Sequence, residues 1–516
     1  MPKVQKDNLF DLVKSLTKSE KRQFKLYVGR LGVNEDAKFI HLFNVLDRSN
    51  SYDEQEILKD GSITKRQLSN LKGHLYRQIL ISLRLNPSQQ NLRIQIREQL
   101  DFATILYHKG LYNQSLRILE KAKNLAIEHE EKNIAYEIIE LEKIIESQYI
   151  TRSSATRAEL LTTQTEHLNK LNALSSELSN LSLQLYGIFL KQGYVKNDSE
   201  YKEIKTYFET NLPKYDLAEL GFRERLWVNK VHLWYSFLIQ DFLSAYRYSR
   251  RWVNLFVEHP AMVQLNPVFF VRGQQYLLEA LFYIRDIERF EQALTYLQEQ
   301  VNSSEFPRSE NIDSLIFLHL YSHKINLHFM RGSFAEGIEL VPEVLAGMQE
   351  HHSTIDEHHI MVFYYKIACL YFGAGDNHGC IEYLQKIIAN KSLRMREDLM
   401  CFSRILNLVA HYEAGEDYHL DRLIKSTYKF LIKMEDLYEV QKEMIKFLRG
   451  LGDIYPHQIN AEFKKLYDTL KQYEDDPFER RSFLYLDILS WLESHFTGVP
   501  IPEIIRKRNL EGKKFS

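Results

Sequence analysis

Two stretches far apart in the chain share one spacing. Residues 103–122 read ATILYHKGLYNQSLRILEKA, and residues 368–387 read ACLYFGAGDNHGCIEYLQKI. In each, a small residue (Ala103, Ala368) stands seven positions before a glycine (Gly110, Gly375). Five positions after the glycine comes a second small residue (Ser115, Cys380), then Leu119 or Leu384, then Ala122 or Ile387. Paired small residues let two antiparallel helices approach closely, and the glycine takes turn angles that a Cβ would resist. A hairpin of this kind cannot bury its own core, so it must stack on its neighbours.

The turn recurs around Gly332 in MRGSFAEGIELV and Gly415 in EAGEDYHLDRLI. IQDFLSAYRYS and IERFEQALTYL read as the same turn without its glycine. Between turns, apolar residues recur at helical spacing, and no run of strand-like alternation is found. The 516 residues hold only 20 glycines and 11 prolines, about half the usual share, which favours long helices. Pro87, Pro260, Pro456 and Pro477 fall between periodic stretches, whereas Pro342 falls inside one and is expected to kink or restart its helix. The expected fold class is all-α.

These features resemble the tetratricopeptide repeat family. The resemblance implies a right-handed superhelix of antiparallel helix pairs. The order of small, aromatic, glycine, small and large residues matches at 103–122 and 368–387, and is degenerate at 233–252, 280–297, 325–344 and 408–424. Turn spacings of 43 (Gly332 to Gly375) and 40 (Gly375 to Gly415) exceed the usual 34. Such expanded repeats, behind a small N-terminal helical domain, resemble bacterial Rap-type peptide-sensing regulators. LFDLVKSLTKSEKRQFKLYV also looks like the opening of long helical-repeat proteins of Bacteroidota. The implied organisation is a basic helical domain at 1–86, repeats at 87–473, and C-terminal capping helices with a charged, frayed tail at 474–516.

In tetratricopeptide arrays the first helix of each pair lines the concave side. The matching positions are Trp227, Lys230, Trp234, Gln275, Phe282, His319, Ser322, Asn326, Tyr365, Phe372 and Tyr412. Rings mixed with a few polar groups suit a peptide or partner helix. The expected function is therefore a non-catalytic scaffold that binds a protein or peptide, without a cofactor. No HExxH, GxSxG or P-loop spacing occurs.

Charge offers an alternative. Residues 1–100 carry 18 Lys/Arg against 11 Asp/Glu, although the whole chain has a net charge of −2. SITKRQLSNLKGHLYRQILISLR (62–84) reads as one helix with Leu68, Leu71, Leu75 and Ile79 on one face. Arg66, Arg77 and Arg84 fall on another, because steps of 11 and 7 residues return to the same side. Such a stripe can meet phosphates, so the runner-up is a regulator whose N-terminal helices touch nucleic acid. The stripe reads first as a solvated face or a patch docking on the acidic repeats, next as a site for an acidic protein partner, and third as a nucleic-acid contact.

The histidine-rich stretch HHSTIDEHHI (351–360) invites a metal reading. Adjacent histidines on a helix point about 100° apart and ligate jointly only poorly. The stretch is read instead as a helix junction, with Thr354 and Glu357 as a capping box, and no designed metal site is expected. Three cysteines without a CxxC pair fit a reducing compartment. No signal-peptide h-region and no apolar run of about 18 residues occurs. The expected location is the cytoplasm.

Overall fold

The computed structural model describes residues 7–30, 38–59, 61–85, 92–148, 155–352, 354–390, 397–415, 417–431, 439–450, 458–474, 476, 478–479 and 487–512. The expected linker at 86–91, with Pro87, and Pro456 and Pro477 lie outside these residues. Among the described residues every long element is an α-helix and no strand occurs. None of the helices is long and apolar enough to cross a membrane.

The chain divides into two compact units, residues 1–168 and 169–516. The first begins with α1 (Asn8–Ser15), α2 (Lys18–Arg30), α3 (Lys38–Arg48), α4 (Glu54–Leu58) and α5 (Lys65–Arg84). These bury one apolar cluster that includes Phe24, Leu42, Phe43 and Leu75. Thr17 and Glu20 form a capping box at the start of α2, bonded in both directions. Asp7 caps α1 and also holds the ammonium of Lys72. Next come α6 (Leu92–His108), α7 (Tyr112–Glu128), α8 (Lys132–Gln148) and the start of α9 (Ala155–Gln192), around a second cluster. Ser115 Oγ donates to the carbonyl of Ala103 at 2.8 Å, so the small-residue seam is closed by a hydrogen bond as well as by proximity.

The second unit continues through α10 (Asp198–Asn211), α11 (Phe222–Leu238), α12 (Phe242–Glu258), α13 (Ala261–Leu265), α14 (Pro267–Tyr283) and α15 (Ile287–Asn302). It goes on with α16 (Glu310–Arg331), α17 (Phe334–Ile338), α18 (Val341–Glu350), α19 (Glu357–Gly373), α20 (Asn377–Ile388), α21 (Glu397–Glu413) and α22 (Asp417–Leu431). Its last helices are α23 (Glu439–Gly450), α24 (Ile459–Lys471), α25 (Ile488–Thr497) and α26 (Ile501–Gly512). Neighbouring helices pack in sequence order, with α11 on α12, α14 on α15, and α19 on α20 and α17. Pro342 sits in the first turn of α18 and restarts the helix after α17.

One turn chemistry recurs. At Gly375 the backbone is left-handed (φ 85°). The Gly375 N–H bonds to Phe372 O and the Asp376 N–H to Tyr371 O, which is a Schellman closure. The turns lacking glycine use the same conformation: Gln240 has φ 59° and Arg285 φ 57°. Their closures match, with the Asp241 N–H on Ser236 O and the Asp286 N–H on Leu281 O. A non-glycine residue there costs roughly 1–2 kcal/mol. An aspartate follows each time and caps the next helix: Asp241 accepts from the Ser244 N–H, Asp286 from Arg289 and Asp376 from Gly379. Gln240 gains further compensation, its buried amide donating to Val195 O at 3.0 Å and Phe478 O at 3.4 Å.

The C-terminal segment differs from expectation. Helix α25 packs beside α24, but α26 returns to the α16 turn. Asn509 Nδ2 donates to Met330 O at 2.7 Å, and the space beside Gly332 is filled by Pro502 and Ile505. The tail expected to be frayed is helical through Gly512, because Arg508 is held by Glu493 (2.6 Å) and Asp487 (3.5 Å) while Ile504 and Ile505 are buried. Phe478 at Gln240, and Pro502, Ile505 and Asn509 at the α16 turn, thus each meet a hairpin turn.

Candidate functional site

Helices α11, α14, α16, α19 and α21, with the end of α9, line a partly open cavity of about 550 Å³. Trp234, Gln275, Phe282, His319, Ser322, Asn326 and Tyr365, all expected on one binding face, line it together. Periodicity accounts for this convergence. Positions 272, 275, 276 and 279 form one face of α14, and 319, 322, 323 and 326 form one face of α16. The rings pack mutually: Trp234 lies 4.9 Å from Tyr186, 5.5 Å from Phe189 and 5.7 Å from Tyr276.

Four residues of the expected set lie elsewhere. Trp227 and Lys230 share the α11 face but sit against Phe269, with Lys230 Nζ 4.7 Å from the Trp227 ring centre. Phe372 lines a smaller recess of about 300 Å³ with Gly375, Trp491 and His495. Tyr412 packs against Phe463 and His495. The C-terminal segment occupies that end of the face, and no local sequence signal announced its return.

The polar side of the cavity centres on Lys366, which was not among the expected residues. Only 4% exposed, its ammonium bonds to Asn326 Oδ1 at 2.9 Å, Ser322 O at 3.2 Å and Ser322 Oγ. Burial lowers its pKa to about 8, partly offset by Glu279 and Cys369. His319 is pushed down to about 3, first by burial and then by its neighbours Arg272, His359 and Lys366. His323 is held well below its ordinary value by burial and by Lys366. Both imidazoles are neutral at pH 7, and His319 Nε2 is sealed from solvent without a hydrogen-bond partner. Tyr276 is driven up to about 12 by burial. A signal for Lys366 did exist: it is the one charge in the apolar run IMVFYYKIACLYF. A lysine kept there at a desolvation cost marks a polar requirement.

The histidine stretch is a junction, as read, with its cap reassigned. Asp356, not Thr354, is the N-cap of α19. Its carboxylate accepts from the His359 N–H at 2.9 Å and meets His359 Nδ1 at 2.8 Å. Thr354 turns its hydroxyl to His351 O and Ser314. Aspartate caps as well as threonine does, and its position two residues later sets where the helix begins. Among the described residues no group of three or more His, Cys, Asp or Glu could hold a metal ion.

In the first unit, Leu68, Leu75 and Ile79 of α5 are buried. Arg66 and Arg77 are exposed, and among the described residues they make no ion pair. Arg84 is engaged by Asp101 at 2.8 Å. The stripe thus presents two open cations and one paired.

No family model matches this chain, and no curated protein or solved structure matches it either.

Proposed function

We propose that the protein is a non-catalytic binding protein of the cytoplasm, whose helix pairs follow the right-handed superhelix of tetratricopeptide-type arrays and whose first-helix face receives a peptide segment of a partner. The observation that carries this reading is the cavity. One helix from each of successive hairpins contributes to it, and it combines an aromatic wall with buried hydrogen-bonding groups. That mixture suits side chains of an extended segment, with rings supplying contact area and polar groups supplying register. A photo-crosslinking amino acid at Gln275, inside the cavity, should yield discrete peptide adducts in cells, and one at exposed Glu258 on α12 should not. Identical adducts from both positions would remove the face from consideration.

A second reading draws on α5. Exposed Arg66 and Arg77 fit a nucleic-acid contact by the N-terminal helices, with the repeats sensing a partner. Retention on immobilised duplex DNA at low salt, lost in Arg66→Glu/Arg77→Glu, supports it; no retention at low salt rejects it.

A further inference from the structure

We propose that the cavity is a receptor for a single carboxylate carried on an apolar body, either a free organic acid or the C-terminal residue of a peptide. This rests on the reading of the first-helix face as a binding surface and adds the chemistry of its ligand.

Lys366 carries the argument. Its ammonium is buried, and its acceptors are a serine hydroxyl, a backbone carbonyl and an amide oxygen, all neutral. Among the described residues it makes no ion pair. A cation kept from water with neutral partners gains far more from an incoming anion than a surface lysine does, because the surrounding dielectric is low. Arg272, on another helix of the same cavity, also makes no ion pair among the described residues, and its positive charge acts on the Tyr276 hydroxyl. His319 on α16 adds a buried, unpartnered Nε2. Three elements thus bring positive or hydrogen-bonding groups to one cavity.

The carboxylates in the cavity set the number of charges. Asp356 is committed to capping α19 and to His359. Glu279 accepts from Gln275 at 2.8 Å and from Tyr283 at 3.5 Å. Their field opposes a dianion such as phosphate and tolerates a monoanion beside Lys366. The rest of the wall is Trp234, Tyr276, Phe282 and Tyr186, which suits a ring or branched chain attached to the acid.

Calorimetric titration of the full chain tests this with four probes: 3-phenylpropionate, acetyl-Ala-Ala-Phe as free acid, the same peptide as C-terminal amide, and inorganic phosphate. The expected result is binding of at least one acid, with the amide and phosphate about tenfold weaker or worse. The tighter acid identifies the source, peptide end or free metabolite. Lys366→Met should abolish acid binding, and Arg272→Gln, on an exposed side chain, should weaken it without affecting the fold. Amide binding equal to acid, phosphate binding above acid, no acid binding at millimolar concentration, or undiminished acid binding by folded Lys366→Met would each overturn the proposal. Position-specific crosslinks at Gln275 that persist alongside any of these results would leave the peptide-binding reading in place while removing the carboxylate.

Discussion

Lys366 Nζ lies 2.9 Å from Asn326 Oδ1, a residue forty positions earlier on the neighbouring helix, with Ser322 completing its shell. The pair places a charge where the chain has supplied only neutral acceptors.

This arrangement makes stability depend on alkaline pH. The Lys366 pKa in the folded state, about 8, lies below its ordinary 10.5. Between those values the unfolded chain binds more protons, so stability rises with pH. Groups around Lys366 include Glu279, Cys369, His319 and His323. In Lys366→Met this rise should be missing. The stability difference between variant and parent should move by about 3 kcal/mol in favour of the parent from pH 8 to 10.5. Urea midpoints at both pH values measure it, and parallel profiles would contradict the assignment.

On the acid side, His319 stays neutral down to a pKa of about 3 against its ordinary 6.5. The unfolded chain takes a proton below 6.5 that the folded chain refuses, so stability falls as pH drops through this window. Each pH unit costs about 1.4 kcal/mol for one such histidine. His319→Gln should lose stability less steeply between pH 6 and 4. Equal slopes in denaturant titrations would show that His319 is accessible to protons.

The backbone at Arg285 is left-handed, and the residue is exposed. Arg285→Gly should stabilise the second unit by roughly 1 kcal/mol. Gly375→Ala should cost a similar amount, since a Cβ there meets no atom within 4 Å and only the φ of 85° resists it. Melting curves of the two variants should shift in opposite directions.

The C-terminal helix supplies a control pair. Ile505, 7% exposed, lies against Gly332, whereas Leu510 is 67% exposed. Ile505→Asp should destabilise by at least about 2 kcal/mol. Leu510→Asp should stay within about 0.5 kcal/mol. Similar chemical-denaturation midpoints for both would mean that α26 does not dock on α16.

The helical hairpins were legible because their signals are local. Ala103 and Ser115, Ala368 and Cys380, and the turn at Gly375 act within about twenty residues, and an Asp cap marks the next helix at 241, 286 and 376. Even the turns without glycine were legible, since IQDFLSAYRYS and IERFEQALTYL keep the rest of the repeat pattern. Face membership was legible in part: helical spacing grouped Gln275 with Phe282, and His319 with Ser322 and Asn326.

Sequence alone determined the all-α class, the hairpin turns and which side chains share a face, because these depend on backbone preferences and on contacts within one or two turns of helix. Tertiary structure decided the rest. Lys366 acquires its meaning from Ser322 and Asn326 across a helix interface, and Phe372 and Tyr412 are diverted by a C-terminal segment whose Asn509 meets Met330 across 179 residues. Such contacts are chosen by burial and hydrogen-bond satisfaction over the whole second unit, and no short window of the chain encodes them.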